Sequence, residues 1–474
     1  MSDHPSVLLI NPNRMRPVVG PIGLDYLAEA LAGRGFDPHL LDLALEPTSR
    51  AQLKKLLARL CPVAVGITIR NVDDCYFASQ KFLLGPVRSL VRWLKRETEA
   101  PVVLGGVGYS VLPLPVLRWL GADIGIRGDG EEAMSLWLEA LLAGRSFRDL
   151  PGVVLPDGAI NDLARADLNA LPARRRNWIR NDRYFHEGGQ GNLETKRGCN
   201  RSCIFCADPL AKGKQVRTRP AELVAEELKV LLEQGVHTFH FCDCEFNVPR
   251  EHAEEVCRAI IRRRLARRIR WYTYAAPVSF DLGLARLMAR AGCVGINFGV
   301  DSASDEQLKR LGRSHRAKDL ETTLQACRGA GLKVMFDLLL GGPGETRATL
   351  RRTISWMKRR QPDRVGVSFG VRVFPGTALA LLLSRSGPME ENPHLAGRVR
   401  NNPELLFPIF YVDRSLGRDA EFYLHRLIGD DRRFFFSSRE LPERNYNYND
   451  NRVLVRAIRG GARGAYWDIL SGGA

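Results

Sequence analysis

Residues 196–206 read KRGCNRSCIFC and place Cys199, Cys203 and Cys206 on one short stretch with the spacing C-x3-C-x2-C. Cysteines grouped in this way bind zinc or iron–sulfur clusters. A structural metal site usually has four protein ligands, whereas three thiolates leave one metal position open to a small molecule. The stretch therefore predicts a metal centre that takes part in chemistry.

Two other interpretations of these cysteines remain open. A zinc site could be completed by His186 or Asp208, or the thiols could be buried without a metal. Zinc sites commonly use two C-x2-C pairs. The chain offers no second pair of this kind, because Cys242 and Cys244 are separated by one residue and are interpreted as small core residues. The spacing thus favours an iron–sulfur cluster.

The composition is typical of a large folded protein of a reducing compartment. The chain has 474 residues, of which 45% are hydrophobic, enough for two or three domains with their own cores. Ten cysteines in a chain of this size are typical of metal ligands and buried thiols rather than of a disulfide scaffold. The first residues lack the apolar run of a signal peptide, and no apolar run approaches the ~20 residues that span a bilayer. We therefore expect a cytoplasmic protein without a membrane partner.

The chain is strongly basic, with a formal net charge of +17 from 70 Lys and Arg against 53 Asp and Glu. Such a charge is compatible with a nucleic-acid partner. The basic residues are nevertheless spread along the chain, in runs such as Arg262–Arg264 and Lys358–Arg360, without interleaved aromatic residues or a nucleic-acid-binding motif. We interpret the charge as a solvated surface, and nucleic acid is not favoured as a partner.

Residues 1–150 alternate short apolar strands with amphipathic helices, which predicts a Rossmann-like, doubly wound parallel sheet. Predicted strands are Val7–Asn11, His39–Asp42, Ala64–Ile69, Pro101–Gly105 and Ile124–Arg127, and predicted helices are Leu24–Arg34, Gln52–Leu60, Leu84–Arg96 and Glu132–Leu142. Ligands of such sheets bind outside the carboxyl ends of the strands. Those ends carry glycines and small polar residues, at 11–13, 68–71, 105–109 and 128–131.

Residues 151–190 are irregular and are predicted to connect this domain to a second α/β domain at 191–385. Its six βα units predict an open, partial (β/α)6 barrel rather than a closed barrel of eight. Predicted strands are Leu193–Arg197, Thr238–Cys242, Arg270–Ala275, Val294–Val300, Val334–Leu340 and Arg364–Phe374, and predicted helices are Ala221–Gln234, Glu251–Arg263, Leu282–Ala291, Lys318–Gly329 and Thr346–Arg360. Residues 386–474, mainly helical or irregular, are expected to cap the barrel.

The cysteine stretch, directly after the first predicted barrel strand, resembles the C-x3-C-x-aromatic-C motif of the radical S-adenosylmethionine (radical SAM) enzymes, with Phe205 as the aromatic residue. The resemblance implies a 4Fe–4S cluster held by Cys199, Cys203 and Cys206. It also implies that the open iron binds the amino and carboxylate groups of S-adenosylmethionine (SAM) and that an electron donor such as flavodoxin or ferredoxin reduces the cluster.

Further segments resemble the SAM-binding parts of this family. The resemblance implies that Asp243, after the second barrel strand, receives the ammonium group of SAM. After the fourth strand, Asp301 stands where the family normally has a glutamate that contacts the ribose, and Ser302 follows it. Gly341 and Gly342 would allow close approach of the backbone to the adenosine. Together with Phe205 these residues are the predicted SAM site.

The N-terminal domain is similar to the cobalamin-binding domain of one branch of this superfamily. The resemblance implies that the corrin contacts residues at the strand ends: Asn11, Pro12, Asn13, Thr68, Arg70, Asn71, Gly105, Gly106, Gly128 and Glu131. The D-x-H-x-x-G motif that supplies a lower axial histidine to cobalt is absent, since His39 is followed by Leu-Leu-Asp-Leu. The alternative is a domain that only supports the barrel and binds no ligand.

These resemblances imply a cobalamin-dependent radical SAM enzyme, and the favoured reaction is methyl transfer to an unactivated carbon of a small molecule or natural product. One SAM would supply the methyl group through cobalamin, and a second would yield a 5′-deoxyadenosyl radical that activates the substrate. A rearrangement or cyclisation with the same cofactors is the first alternative. A basic iron–sulfur or zinc protein that binds nucleic acid is the second.

Overall fold

The N-terminal domain is built on a six-stranded sheet with the order β2-β1-β3-β4-β5-β6, in which only β6 is antiparallel. The computed structural model describes residues 4–171, 174–436 and 450–472. The strands are β1 (Ser6–Asn11), β2 (Asp37–Asp42), β3 (Ala64–Thr68), β4 (Val102–Gly105), β5 (Ile124–Ile126) and β6 (Val153–Val154). The helices are α1 (Ile22–Ala32), α2 (Arg50–Leu60), α3 (Gly85–Glu97), α4 (Val107–Val111), α5 (Pro113–Leu120) and α6 (Gly130–Leu142).

Strand β1 shows why this sheet is buried on both faces. Successive side chains of a strand point to opposite faces, and here Val7 and Leu9 enter one core whereas Leu8 and Ile10 enter the other. The doubly wound arrangement predicted from the sequence is thereby confirmed. The sheet also takes in β6 from the predicted connector, and helices α4 and α5, which were not predicted, follow β4.

The second domain is an open sheet of seven parallel strands, ordered β7-β10-β11-β12-β13-β14-β18. Its strands, with those of two small antiparallel sheets, are β7 (Gly191–Leu193), β8 (Lys196–Arg197), β9 (Arg217–Thr218), β10 (Thr238–Phe241), β11 (Arg270–Ala275), β12 (Cys293–Asp301), β13 (Lys333–Leu340), β14 (Arg364–Phe369), β15 (Val371–Arg372), β16 (Leu395–Gly397), β17 (Ile409–Tyr411) and β18 (Phe434–Phe435). The helices are α7 (Asn181–Gly188), α8 (Asp208–Lys212), α9 (Ala221–Glu233), α10 (Arg250–Arg262), α11 (Leu282–Arg290), α12 (Asp305–Arg310), α13 (Ala317–Gly329), α14 (Arg347–Arg360), α15 (Ala378–Arg385), α16 (Ala420–Ile428), α17 (Arg452–Arg459) and α18 (Tyr466–Ile469).

Two barrel strands differ from their predicted extents. The first is divided, because only β7 joins the main sheet, whereas β8 pairs with β9 in a separate two-stranded sheet. The last ends at Phe369, and β15 then pairs with β17. The open barrel itself is confirmed, and the C-terminal segment adds β18 to it as a seventh strand.

The C-terminal helix α18 packs against the beginnings of the barrel strands. The Trp467 ring lies 6.0 Å from that of Tyr272. Asp468 accepts hydrogen bonds from the Tyr272 hydroxyl at 2.7 Å and from Lys333 Nζ at 2.6 Å. This segment therefore covers the amino end of the sheet and leaves the carboxyl end to the cysteine loop. None of the helices in the described part of the chain has both the length and the apolar content needed to cross a lipid bilayer.

A buried group of charges joins the two domains. Arg176, from the predicted connector, is 2% exposed and forms ion pairs with Asp25 of α1 and Glu227 of α9. Tyr26 of α1 donates a further hydrogen bond of 2.7 Å to Glu227. Because α1 belongs to the first domain and α9 to the second, these bonds fix the position of one ligand-binding edge relative to the other.

Candidate active site

The three predicted cluster cysteines lie together. Cys199, Cys203 and Cys206 line one cavity of about 130 Å³, between β8 and α8 at the carboxyl end of the barrel. Burial raises the pKa of all three thiols above the ordinary value. Thiols bind metals as thiolates, so a bound metal has to displace their protons.

The donor set fits a cluster better than a single metal ion. In residues 4–171, 174–436 and 450–472, no three His, Cys, Asp or Glu side chains are placed to hold one ion. A 4Fe–4S cluster does not require such convergence, because each thiolate binds a different iron. Arg313 donates a hydrogen bond of 3.0 Å from Nη1 to the sulfur of Cys203. A cation at this position favours the thiolate form of the ligand.

The same cavity contains polar side chains that sequence reasoning missed. Glu245 lines it and accepts a hydrogen bond of 3.0 Å from Nε of Arg201, which also lines it. Tyr274 and Asp337 contribute further polar atoms from β11 and β13. A carboxylate two residues after a predicted ligand on a strand end was the available sequence signal for Glu245. No sequence signal pointed to Arg313, since the loop that carries it is over 100 residues from the cysteines.

The structure places the predicted SAM residues in different surroundings. Asp243 is 2% exposed and accepts hydrogen bonds from the backbone N–H of Thr195 at 2.8 Å and from its hydroxyl at 2.5 Å. Lys196 Nζ lies 3.6 Å from the same carboxylate. Asp243 thus fixes the turn between β7 and β8, and the acidic side chain of its segment that lines the cavity is Glu245. The predicted contact of Asp243 with SAM stays a prediction.

The remaining members of the predicted SAM site are mostly buried in protein contacts. Asp301 forms an ion pair of 3.1 Å with Nε of Arg313, and burial raises its pKa. Ser302 is completely buried against the hydroxyl of Thr353 at 3.0 Å. Gly341 and Gly342 form a loop after β13 that is tied to neighbouring loops, since the Gly341 carbonyl accepts from the Asp413 N–H at 2.9 Å. Their contacts with SAM also stay predictions.

The strand ends of the first domain line a second, much larger cavity of about 830 Å³. Nine of the ten predicted cobalamin contacts line it: Asn11, Asn13, Thr68, Arg70, Asn71, Gly105, Gly106, Gly128 and Glu131. Pro12 is the exception. Gly106 has φ of +99°, and a Cβ there would stand 2.7 Å from the carbonyl oxygen of Ile69. The backbone at this strand end therefore requires glycine, because a side chain would collide with the segment that follows β3.

His39 lies away from this cavity. Its ring nitrogen Nε2 is 3.0 Å from a carboxylate oxygen of Asp37, both on β2. It is not among the residues that line the large cavity.

Glu131, which lines the large cavity, also forms an ion pair with a residue of the other domain. Arg197, which immediately precedes the cysteine loop, donates hydrogen bonds of 3.0 and 2.6 Å to its two carboxylate oxygens. Although burial opposes it, the Arg197 charge holds the pKa of Glu131 well below its ordinary value. The ionised pair therefore links the edge of the first domain directly to the cysteine loop.

The two cavities share a wall. Cys206 and Asp208 line both, and Phe205 lines the large one. The third cysteine thus stands at the boundary between the predicted cluster site and the predicted cobalamin site. A reaction that uses two cofactors requires them to bind close to each other.

Comparison with known proteins agrees with this two-part site. Residues 193–357 match the radical SAM superfamily, and residues 14–137 match the B12 binding domain. The chain is similar to tryptophan 2-C-methyltransferase of Streptomyces laurentii, at 31% identity over 92% of this chain and 84% of that protein.

Two solved structures of the radical SAM methyltransferase TsrM from Kitasatospora setae are similar over nearly their whole length. The structure with tryptophan and the SAM analogue aza-SAM has a TM-score of 0.90 and 28% identity, covering 98% of this chain and 97% of that one. The structure with cobalamin and a 4Fe–4S cluster has a TM-score of 0.88 and 27% identity, covering 99% and 97%.

Proposed function

Since the chain belongs to the cobalamin-dependent radical SAM methyltransferases, we propose that it methylates carbon 2 of the indole ring of tryptophan or of a closely related amino acid. The cofactors of this class are cobalamin, a 4Fe–4S cluster and SAM. The proposed substrate rests on the relatives, one named as a tryptophan 2-C-methyltransferase and one solved with tryptophan bound. Methyl transfer, rather than rearrangement or nucleic-acid binding, is the reaction that these similarities support.

One observation carries the proposal: the cysteine cavity and the large cavity meet at Cys206 and Asp208. When bound, SAM and cobalamin would supply a transferable methyl group, and the cluster would pass on electrons from an external donor. The chain has to hold them side by side and place an aromatic carbon between them. The shared wall would place the two bound cofactors close together.

The side chains divide the work between the two cavities. Cys199, Cys203 and Cys206 would hold the cluster, and Arg313 would balance the charge of one thiolate through its hydrogen bond to Cys203. The strand ends of β3 and β4 would hold the corrin through backbone atoms and through Thr68, Arg70 and Asn71. The Arg197–Glu131 bond keeps these two sets of residues in register.

An electron donor belongs to the proposal as well. The bound cluster would take its electrons from a partner protein, and flavodoxin or ferredoxin is the class of protein that would supply them. The exposed side chains of Asn200 and Ser202 show that the cysteine loop reaches the surface, where a donor can approach.

The test uses anaerobically purified protein loaded with iron, sulfide and cobalamin. It is supplied with SAM carrying a labelled methyl group, with L-tryptophan and with a chemical or flavodoxin-based reductant. We expect labelled 2-methyltryptophan, identified by mass and by loss of the carbon-2 proton signal, together with one S-adenosylhomocysteine per methyl group transferred. Cys61→Ser, which changes an exposed cysteine on the far end of α2, should behave as the unaltered protein.

Fully loaded protein that leaves tryptophan and its close analogues unlabelled would refute the proposed substrate. A labelled methyl group at another carbon of the ring would refute the proposed position. Conversion of the substrate without incorporation of label would favour the rearrangement alternative.

A further inference from the structure

Lys212 stands at the boundary between the two cavities. It is the last residue of α8, the short helix that follows the cysteine loop, and its side chain is 26% exposed and lines the large cavity. Its ammonium nitrogen lies 3.7 Å from the sulfur of Cys244, which lines the small cavity. The nitrogen is 3.9 Å from a carboxylate oxygen of Asp208, at the outer limit of an ion pair.

Most other cations of this region already have a close carboxylate partner. Among the described residues, six Lys and Arg side chains line the two cavities: Arg70, Lys212, Arg197, Arg201, Arg313 and Arg372. The last four form ion pairs of 2.6 to 3.1 Å with Glu131, Glu245, Asp301 and Asp73, respectively. The ammonium group of Lys212 lies farther from its carboxylate partner, Asp208, and it can bind a second carboxylate without breaking a short ion pair.

Arg70 differs from Lys212 in its place. It follows β3 on the edge of the first domain, among the predicted cobalamin contacts, and its Nη1 lies 3.2 Å from the sulfur of Met15. Lys212 belongs to the barrel side of the large cavity, beside the wall shared with the cysteine cavity. A substrate that lies between corrin and cluster would therefore meet Lys212.

Building on the proposed function, we infer that Lys212 binds the carboxylate of the amino-acid substrate and thereby places its indole ring at the boundary of the two cavities. An ammonium group donates charge-assisted hydrogen bonds to a carboxylate, and these hydrogen bonds are strongest where water is partly excluded. Asp208 is the largest influence that raises the pKa of Lys212, so the side chain carries its positive charge at neutral pH.

SAM also carries an amino-acid carboxylate, and Phe205, one of its predicted contacts, lines the large cavity as Lys212 does. Lys212 lines the large cavity and not the small one. The resemblance to radical SAM enzymes implies that the SAM carboxylate binds the open iron of the cluster, so we assign the carboxylate beside Lys212 to the methyl acceptor. The two assignments predict different kinetic results.

The experiment compares L-tryptophan with tryptamine, which lacks the carboxylate, in the loaded holoenzyme. We expect the unaltered enzyme to prefer tryptophan by about 10- to 100-fold in kcat/KM, the value of one charge-assisted hydrogen bond. Lys212→Met should lower kcat/KM for tryptophan by about that factor and leave tryptamine methylation within about twofold. Lys212→Arg, which keeps the charge, should recover part of the preference.

Lys214→Met is the matched control, because Lys214 is exposed and lies two residues further along the chain. It should keep the full preference. Tryptamine methylation by Lys212→Met, with unchanged cluster and corrin absorbance, shows that the variant is folded.

Three results would overturn the inference. One is an unchanged preference for tryptophan in Lys212→Met. The second is an increased KM for SAM in that variant with the preference retained, which would assign Lys212 to SAM. The third is an unaltered enzyme that methylates neither compound, which would refute the proposed function and the inference with it, whereas the first two leave the proposed function standing.

Discussion

Replacement of Arg176 by methionine tests whether the buried charges fix the two domains together. The Arg176 guanidinium donates to the carboxylates of Asp25 and Glu227, to the Asn192 carbonyl at 3.1 Å and to Asn181 Oδ1 at 3.1 Å. Methionine has a similar length but no donor. The substitution therefore removes the charge and leaves its partners buried.

The substitution removes hydrogen bonds and a positive charge mainly from the surroundings of Asp25. Glu227 retains Arg219 and the Tyr26 hydroxyl, whereas the remaining hydrogen-bond donor to Asp25 within the described part of the chain is the backbone N–H of Trp178, at 3.1 Å. Burial already raises the pKa of Asp25 even with Arg176 present. Removing one partner of a buried ion pair typically costs about 3–5 kcal/mol, and we expect a loss of this size in the free energy of unfolding.

The assay is anaerobic urea denaturation followed by far-UV circular dichroism, with the midpoint and the slope fitted separately. Arg175→Met is the matched control. The Arg175 side chain is 76% exposed and pairs with Glu29 at 3.2 Å, so solvent screening limits its contribution to about 1 kcal/mol or less. Adding Asp25→Asn to Arg176→Met removes the unpaired carboxylate, and we expect the double variant to recover part of the lost stability.

The pH dependence of the Arg176→Met variant gives a second readout. Asp25 without its cation should take up a proton as the pH falls, because burial favours the neutral form. The deficit relative to the unaltered protein should therefore shrink towards acidic pH. Equal midpoints for Arg176→Met and Arg175→Met would refute the reasoning, as would a double variant less stable than Arg176→Met alone.

Three further predictions concern the site. Cys203→Ser should abolish the cluster absorbance and methyl transfer while the corrin spectrum is retained, and an intact cluster would contradict the ligand assignment. Gly106→Ala should do the reverse, lowering cobalamin retention about tenfold at an unchanged iron content, because the added Cβ meets backbone and φ is +99°; normal cobalamin retention would contradict it. Burial raises the pKa of Glu345, beneath the loop that contains Gly341, from 4.5 to about 7. The neutral carboxyl group contributes its full stability below pH 4.5, and this contribution is lost as the pH rises to about 7. Between pH 4.5 and 7.5 the free energy of unfolding of the unaltered protein should therefore fall by about 3 kcal/mol relative to that of Glu345→Gln. Parallel curves of stability against pH for the two proteins would contradict this prediction.

The cysteine loop and the strand ends show which features of the site can be predicted from local sequence. The spacing of Cys199, Cys203 and Cys206 is contained in eight consecutive residues, and it correctly placed the three thiols in one cavity. The strand-end residues predicted to contact cobalamin gather at one large cavity for a similar reason, since the carboxyl ends of parallel strands meet at one edge of a sheet.

Asp243 and the segment 174–176 show where local sequence fails. The sequence predicts one strand over Leu193–Arg197, yet hydrogen bonds from Thr195 to Asp243, 48 residues away, divide it into β7 and β8. The sequence predicts that the basic run at 174–176 belongs to an irregular connector, yet Arg176 is among the largest fully buried side chains. Neither contact leaves a periodic pattern in the sequence.

The sequence by itself determined the class of metal centre and the alternation of strands and helices in both domains, and it predicted the edge of each sheet at which ligands bind. These properties depend on residues close together in the chain, through ligand spacing and hydrophobic periodicity. Only the tertiary structure decided that the two cavities share the wall at Cys206 and Asp208, that Glu245 rather than Asp243 faces the cysteines, and that Lys212 stands at the boundary. Each of these arrangements depends on contacts between segments that are distant in the chain. Such contacts form, and contribute free energy, only when the domains pack together.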